Sequence, residues 1–362
     1  MAEQPSTPGQ EFEKPLTQSD MQVAKFDTKR RGLLDRVQHV LHSNPTLVPI
    51  IVLFIAVSGF ALIAGQSFYR PLNLGLILQQ VSIIGILAAA QSLIIITAGI
   101  DLSIGALMVF SYVAMGLLSV NLGVPPGIAI LMGIGVGVGG GAVNGLLVTR
   151  LRLPPFIVTL GTWSVFLASL RLLTGSQSIR SQDIDAQAPL LKFFGNYIDI
   201  GTMPHGARIT FGVILMVVVF GALWYVLNKT AFGRHVYAVG DDPEAAELAG
   251  IRTKRVLLSV YMLAGGVAAI AAWASIGRVG AIGPNNWAEA NLQSITAVVI
   301  GGISLFGGRG SILGPLFGAL IVGTVESGLR LAGLDVQWQI FSIGWLIIIA
   351  VAIDQWIRKV SV

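Results

Sequence analysis

Few groups in this chain can do chemistry, and most of them stand inside or beside long apolar runs. Gln91 lies near the middle of one run, Asn144 towards one end of another, and Glu326 in the outer half of a third. An amide or carboxylate at that depth is costly to bury. It marks either a passage for a polar solute or a hydrogen bond between helices. Both readings stand for Gln91, Asn144 and Glu326. Asp101 falls in a turn between two runs, where capping Ser103 or bonding Thr97 is its expected task. Asn285, Asn286 and Glu289 cluster at the head of another run. Hydrolytic chemistry finds no centre. The four histidines are scattered at 39, 42, 205 and 235, cysteine is absent, and there is no His-Glu-x-x-His. No catalytic residue, metal site or cofactor is therefore expected. The Gly-x-x-x-x-Gly-Lys-Ser/Thr pattern that cradles ATP phosphates is also missing, and the Gly-Gly-Arg-Gly-Ser stretch at 307–311 reads as a tight turn.

One charged stretch, 229–255, interrupts the apolar runs. Asp242 reads as an N-cap and Pro243 as the first helical residue. Glu244 suits the positive end of the helix dipole, and Gly250 suits the C′ position that ends a helix. Ala245 and Ala246 fall inside it. Such a helix is roughly 10 Å long at 1.5 Å per residue, too short to cross a bilayer. A capped surface helix serves either as a docking point for a soluble partner or as a solvated connector.

The elements that must position these groups follow from composition. The chain has 362 residues, 54% hydrophobic and 11% charged, with 44 glycines and a net charge of +5. A soluble protein would carry about 25% charge. Apolar runs near 20 residues, each enough for a spanning helix, recur near 47–65, 75–98, 103–121, 127–149, 155–174, 209–228, 256–276, 289–306, 312–332 and 338–357. The expected fold is an all-α membrane protein, a polytopic bundle of about ten transmembrane helices at 47–362 behind a polar N-terminal tail at 1–46. Lys and Arg test this map. With the N-terminus inside, sixteen fall on cytoplasmic segments and six on external ones, which supports an even number of spans with both termini cytoplasmic. The segment 175–208 is then external, either covering the mouth of a path, meeting an external partner or lying as a solvated loop. Glycines cluster at 133–141 and at Gly314, Gly318 and Gly323, where close helix packing is the default role and a cavity the alternative.

Longer motifs carry a resemblance. The stretch Gly240-Asp-Asp-Pro-Glu-Ala-Ala-Glu-Leu-Ala-Gly-Ile251 resembles the coupling loop of ATP-binding-cassette importer permeases. Thr97-Ala-Gly-Ile-Asp-Leu-Ser-Ile-Gly105, the run from Asn144 to Gly161 and the run from Val299 to Gly314 resemble the monosaccharide-importer permeases of the ribose, xylose and fructose type. The tail length and the His-Ser-Asn-Pro at 42–45 look most like the fructose type. The resemblance implies a homodimeric permease of the bacterial inner membrane, embedded in lipid, with no nucleic-acid partner. A separate cytoplasmic ATPase would hydrolyse ATP and a periplasmic binding protein would deliver the sugar. It assigns Gly240, Asp242, Pro243, Glu244, Ala245, Ala246 and Gly250 to ATPase coupling. Gln91, Asn144 and Glu326 become residues of the sugar path. Asn285, Asn286 and Glu289 become a docking place for the binding protein. Trp163, Trp273 and Trp287 add aromatic faces on which sugars stack. The alternative is a secondary transporter or channel for a small polar solute, working without an ATPase. It would be expected to carry buried ion-coupling pairs or polar rings, and these spans hold very few charges.

Overall fold

Lipid offers no hydrogen bonds, so an apolar run must satisfy its backbone within itself, and a helix does this. The computed structural model describes residues 46–202, 206–285, 287 and 289–358. The first helices are α1 (Leu47–Ala64), the single turn α2 (Gln66–Tyr69) and α3 (Pro71–Ile96). α4 (Ile104–Gly116) runs on through a π-helical turn at Leu117–Asn121, and α5 (Pro126–Arg150) and α6 (Pro155–Thr174) follow. A mixed segment holds α7 (Ser181–Gln187), a 3-10 stretch at Pro189–Gly195, β1 (Tyr197–Ile200) and β2 (Ala207–Thr210). The remaining helices are α8 (Phe211–Lys229), α9 (Ala231–Asp241), α10 (Pro243–Leu248), α11 (Thr253–Val279), α12 (Ala290–Ile300), α13 (Leu313–Leu331) and α14 (Val336–Arg358).

Among the described residues, seven helices are long and apolar enough to cross a membrane: α1, α3, α4 with its π-helical turn, α5, α6, α8 and α11. Each coincides with one of the first seven expected spans. The protein is a polytopic helical membrane protein. α13 and α14 occupy the last two expected spans, and α13 carries Glu326 and Arg330. The eighth run differs. Instead of 289–306, the helix α12 covers only 11 residues. That is a rise of about 16 Å, roughly half the hydrocarbon core. The chain then unwinds, with Gly302, Gly307, Gly308 and Gly310 all at positive φ, a conformation that other residues resist.

α3 is the hub. Every residue from Val81 to Ile96 is buried, among α8, α11, α12 and α13. α1 lies at the rim, with Leu62 88% exposed and only Pro49 and Ala61 buried. The glycines of α5 have two roles. Gly133, Gly137, Gly141 and Gly145 recur every four residues, so they share one face. On that face Gly137 meets the Gly265 carbonyl, Gly141 the Tyr261 carbonyl and Gly145 Leu258, with no room for a Cβ. Gly135 and Gly139 point into open space. Close packing of α5 on α11 is thus the finding for one set and not for the other.

The described residues after α6 form regular elements rather than a plain loop. β1 and β2 pair antiparallel, with Tyr197 opposite Thr210 and Ile200 opposite Ala207. Gly195 lies against the backbone of Gly277 on α11. The Trp273 ring packs edge-on to Phe194 at 4.5 Å, and its Nε1–H donates to the Leu190 carbonyl at 3.3 Å. Trp273, expected among the sugar-stacking faces, is instead the anchor of this segment: both its ring and its N–H are already engaged.

Candidate functional site

The 229–255 stretch folds as its residue types dictate. Thr230 caps α9, its Oγ1 accepting from the Gly233 N–H at 3.2 Å. Asp242 adopts an extended backbone, and its Oδ1 accepts from the N–H groups of Glu244 at 2.9 Å and Ala245 at 3.0 Å. Pro243 follows as the first residue of α10. The helix ends where Gly250 takes φ +86. The Gly250 N–H donates to Glu247 and the Ile251 N–H to Ala246, both at 3.0 Å. Ala246 faces inward and is buried, while Glu244, Ala245, Glu247 and Leu248 are exposed. Leu248 is 90% exposed. α10 therefore presents an apolar side chain flanked by carboxylates, held by caps at both ends.

The helix α9 connects this display to the bundle. Gly240 touches the carbonyl of Ile96 at the end of α3 and the N–H of Gly308, leaving no space for a Cβ. The Gly308 N–H donates to the Ile96 carbonyl at 2.9 Å. The Tyr237 hydroxyl donates to the Gly310 carbonyl at 2.9 Å. Burial pushes the Tyr237 phenol above its usual range, which keeps it a donor. Three elements thus meet backbone to backbone: the end of α3, the end of α9 and the turn at 304–310 that joins α12 to α13.

The turn after α3 is held from several sides. The Asp101 Oδ1 accepts from both the N–H and the Oγ–H of Ser103 at 2.6 Å, which is the Ser103 cap expected of it. Asn144 donates to the Ser103 Oγ at 2.8 Å, and Thr159 to the Ile100 carbonyl at 3.1 Å. Asn291, at the start of α12, donates to the Leu102 carbonyl and accepts from the Gly105 N–H. Asn144 therefore serves an interhelical hydrogen bond. Gln91 is fully buried on α3, and neither of its amide atoms has a partner among the described residues.

Glu326 is not alone. It is 5% exposed and accepts from Gln293 at 2.6 Å and from Gln80, while Arg330 donates to Gln80 at 3.2 Å. Nearby, the Arg278 guanidinium stands 5.4 Å from the Trp287 ring centre. Asn285 and Glu289 are exposed at this end; Asn286 lies outside the described residues. Trp163 is part-exposed on α6. Sequence reasoning missed Gln80, Gln293 and Asn291. Their signal was present as amides inside apolar runs, but the partners lie 246, 33 and 186 residues away.

The described residues form a polytopic helical bundle in which the capped helix α10 is joined through α9 to the end of the central span α3. Residues 73–351 match the family described as branched-chain amino acid transport system / permease component. The fructose import permease protein of Rhizobium meliloti is 56% identical over 98% of this chain and 97% of its own length. The ribose import permease protein of Bacillus subtilis is 38% identical over 85% of this chain and 92% of its own. The D-allose transport system permease protein of Escherichia coli is 34% identical over 85% and 91%. No solved structure matches the chain. The chain belongs to the permease components of ATP-binding-cassette monosaccharide importers. As such a component it has no ATPase activity of its own.

Proposed function

We propose that this permease imports fructose across a bacterial inner membrane. It works as a homodimer with both termini cytoplasmic, fed by a periplasmic binding protein and driven by a separate cytoplasmic ATPase that grips α10. The observation that carries the coupling reading is the contact of Gly240 with Ile96 and Gly308. A displacement of α10 passes through α9 to the central span and to the turn joining α12 to α13. Gly240, Asp242, Pro243, Glu244, Ala245, Ala246 and Gly250 form that coupling unit. Differential contact of the ATPase with α10 in its two states biases the bundle between outward and inward openings. Gln91 and Glu326 face the sugar path, Asn144 stiffens the turn beside it, and Asn285, Asn286 and Glu289 meet the binding protein. The fructose assignment draws on the 56% identity to a fructose permease against 38% and 34% for ribose and allose relatives.

The test is uptake of labelled fructose, ribose and allose by vesicles holding the permease, with the ATPase and binding protein added or omitted. Fructose uptake that needs both partners is the expected result. Uptake that persists without the ATPase would establish the secondary-transporter alternative instead.

A further inference from the structure

At the end of the bundle that carries β1 and β2, five parts of the chain bring polar groups together. α3 supplies Gln80, α11 Arg278, α12 Gln293, α13 Glu326 with Arg330, and the segment before α12 supplies Trp287 and Glu289. Both carboxylate oxygens of Glu326 are taken by amides, Oε1 by Gln293 at 2.6 Å and Oε2 by Gln80. Arg330 donates to Gln80 at 3.2 Å, and the Arg278 guanidinium stands 5.4 Å from the Trp287 ring centre. Trp287 is held at φ +63, a conformation bulky residues avoid, and its buried Nε1–H has no partner among the described residues. Strain of this kind persists only where surrounding structure enforces it, and it gathers at functional sites.

The set matches the chemistry of a monosaccharide. Vicinal hydroxyls donate to a carboxylate and accept from amide N–H groups, and the C–H face of the ring packs on an indole. A diol that enters between Gln80, Gln293 and Glu326 replaces each broken hydrogen bond with another. The unpartnered indole N–H and the two guanidiniums supply further donors. We propose that Gln80, Gln293 and Glu326, with Trp287 and Arg278, form a weak monosaccharide-binding station at this end of the passage. The proposal rests on the sugar-permease reading. A transport route needs such a station to bind well enough for entry and loosely enough for release.

The experiment has two arms. In the first, the purified full-length permease, without binding protein, is mixed with D-fructose and saturation-transfer NMR is recorded on the sugar protons. Transfer is expected in the wild type, at reduced strength in Trp287→Phe, which keeps a ring face and loses the N–H, and its loss is expected in Trp287→Leu and Glu326→Gln. In the second, the transporter reassembled with ATPase and binding protein is assayed for fructose uptake. Glu326→Gln should lower the rate about tenfold, the loss of one hydrogen bond to a charged group. The half-saturating concentration of binding protein should not move. Monodisperse elution of each variant guards against misfolding, and Trp287→Phe is the conservative control. Absent transfer in the wild type, or transfer unchanged in both Trp287→Leu and Glu326→Gln, overturns the station whatever the uptake shows. Transfer as expected with no wild-type uptake of fructose supports the station and counts against the transport reading.

Discussion

Asp242 and Gly250 fix the two ends of α10 by different physics. Asp242 works through its side chain, which satisfies two N–H groups left over at the helix start. Replacing it with Ala leaves both to water and costs about 1 kcal/mol of local helix stability. Gly250 works through its backbone. Nothing lies within 4 Å of where its Cβ would be, so space does not restrict the position. The cost of Gly250→Val is conformational, about 1–2 kcal/mol for an L residue held at positive φ. Glu244→Arg places a cation at the positive end of the helix dipole and reverses the sign offered to a partner. None of these positions lies in a spanning helix. Glu244→Arg and Gly250→Val proteins should therefore reach the membrane at the normal level, lose fructose uptake and retain the ATPase poorly in co-purification. Wild-type uptake by the double variant would reduce 229–255 to a connector.

Packing of α5 on α11 sets the element scale. Gly137→Ala pushes a methyl group into the Gly265 carbonyl, whereas Gly139→Ala adds one in open space. Two substitutions of the same type, two residues apart, should thus move stability in opposite directions. In a thermal unfolding assay in detergent, Gly137→Ala should melt lower than wild type. Gly139→Ala should melt at or above it, gaining up to about 1 kcal/mol of helix propensity. Equal shifts would mean that α5 does not seat on α11 by this face. Gly240→Ala belongs to the same class. It opens the junction of α9 with α3 and should lower uptake while leaving the far end of the bundle intact, read as unchanged protease resistance of the β1–β2 segment.

For the whole molecule, orientation is the quantity most open to measurement. The chain has no cysteine, so one introduced at Ser6, Asp185, Glu247 or Val360 is the only one present. A membrane-impermeant thiol reagent applied from outside should label only the variant at Asp185. Labelling at Glu247 or Val360 would reverse the orientation and remove α10 from the ATPase side. Selection of the sugar is a second global property. In the proposed mechanism the permease receives only the sugar that the binding protein delivers, so Gln91→Ala should change the rate of uptake and leave the ranking of competing sugars unchanged. A new ranking with the same binding protein would place selectivity in the spans.

The sequence by itself determined what rests on local physics. Apolar length placed α1, α3, α4, α5, α6, α8 and α11, because a backbone in lipid must close its hydrogen bonds within its own segment. Cap chemistry placed both ends of α10, because Asp242, Pro243 and Gly250 act on neighbours within a few residues. What depends on distant partners was decided only by the tertiary structure. Glycines look alike in a string, yet Gly137 faces the Gly265 backbone and Gly139 faces nothing. Trp273 reads as an aromatic face for a sugar until Phe194 and Leu190 are found to occupy it. The run at 289–306 is apolar enough to pass for a span, but its glycines release the chain after Ile300 and turn it towards Gly240 and Ile96. Gln80, Gln293 and Glu326 converge because α3, α12 and α13 pack together, and no spacing within one segment encodes that meeting.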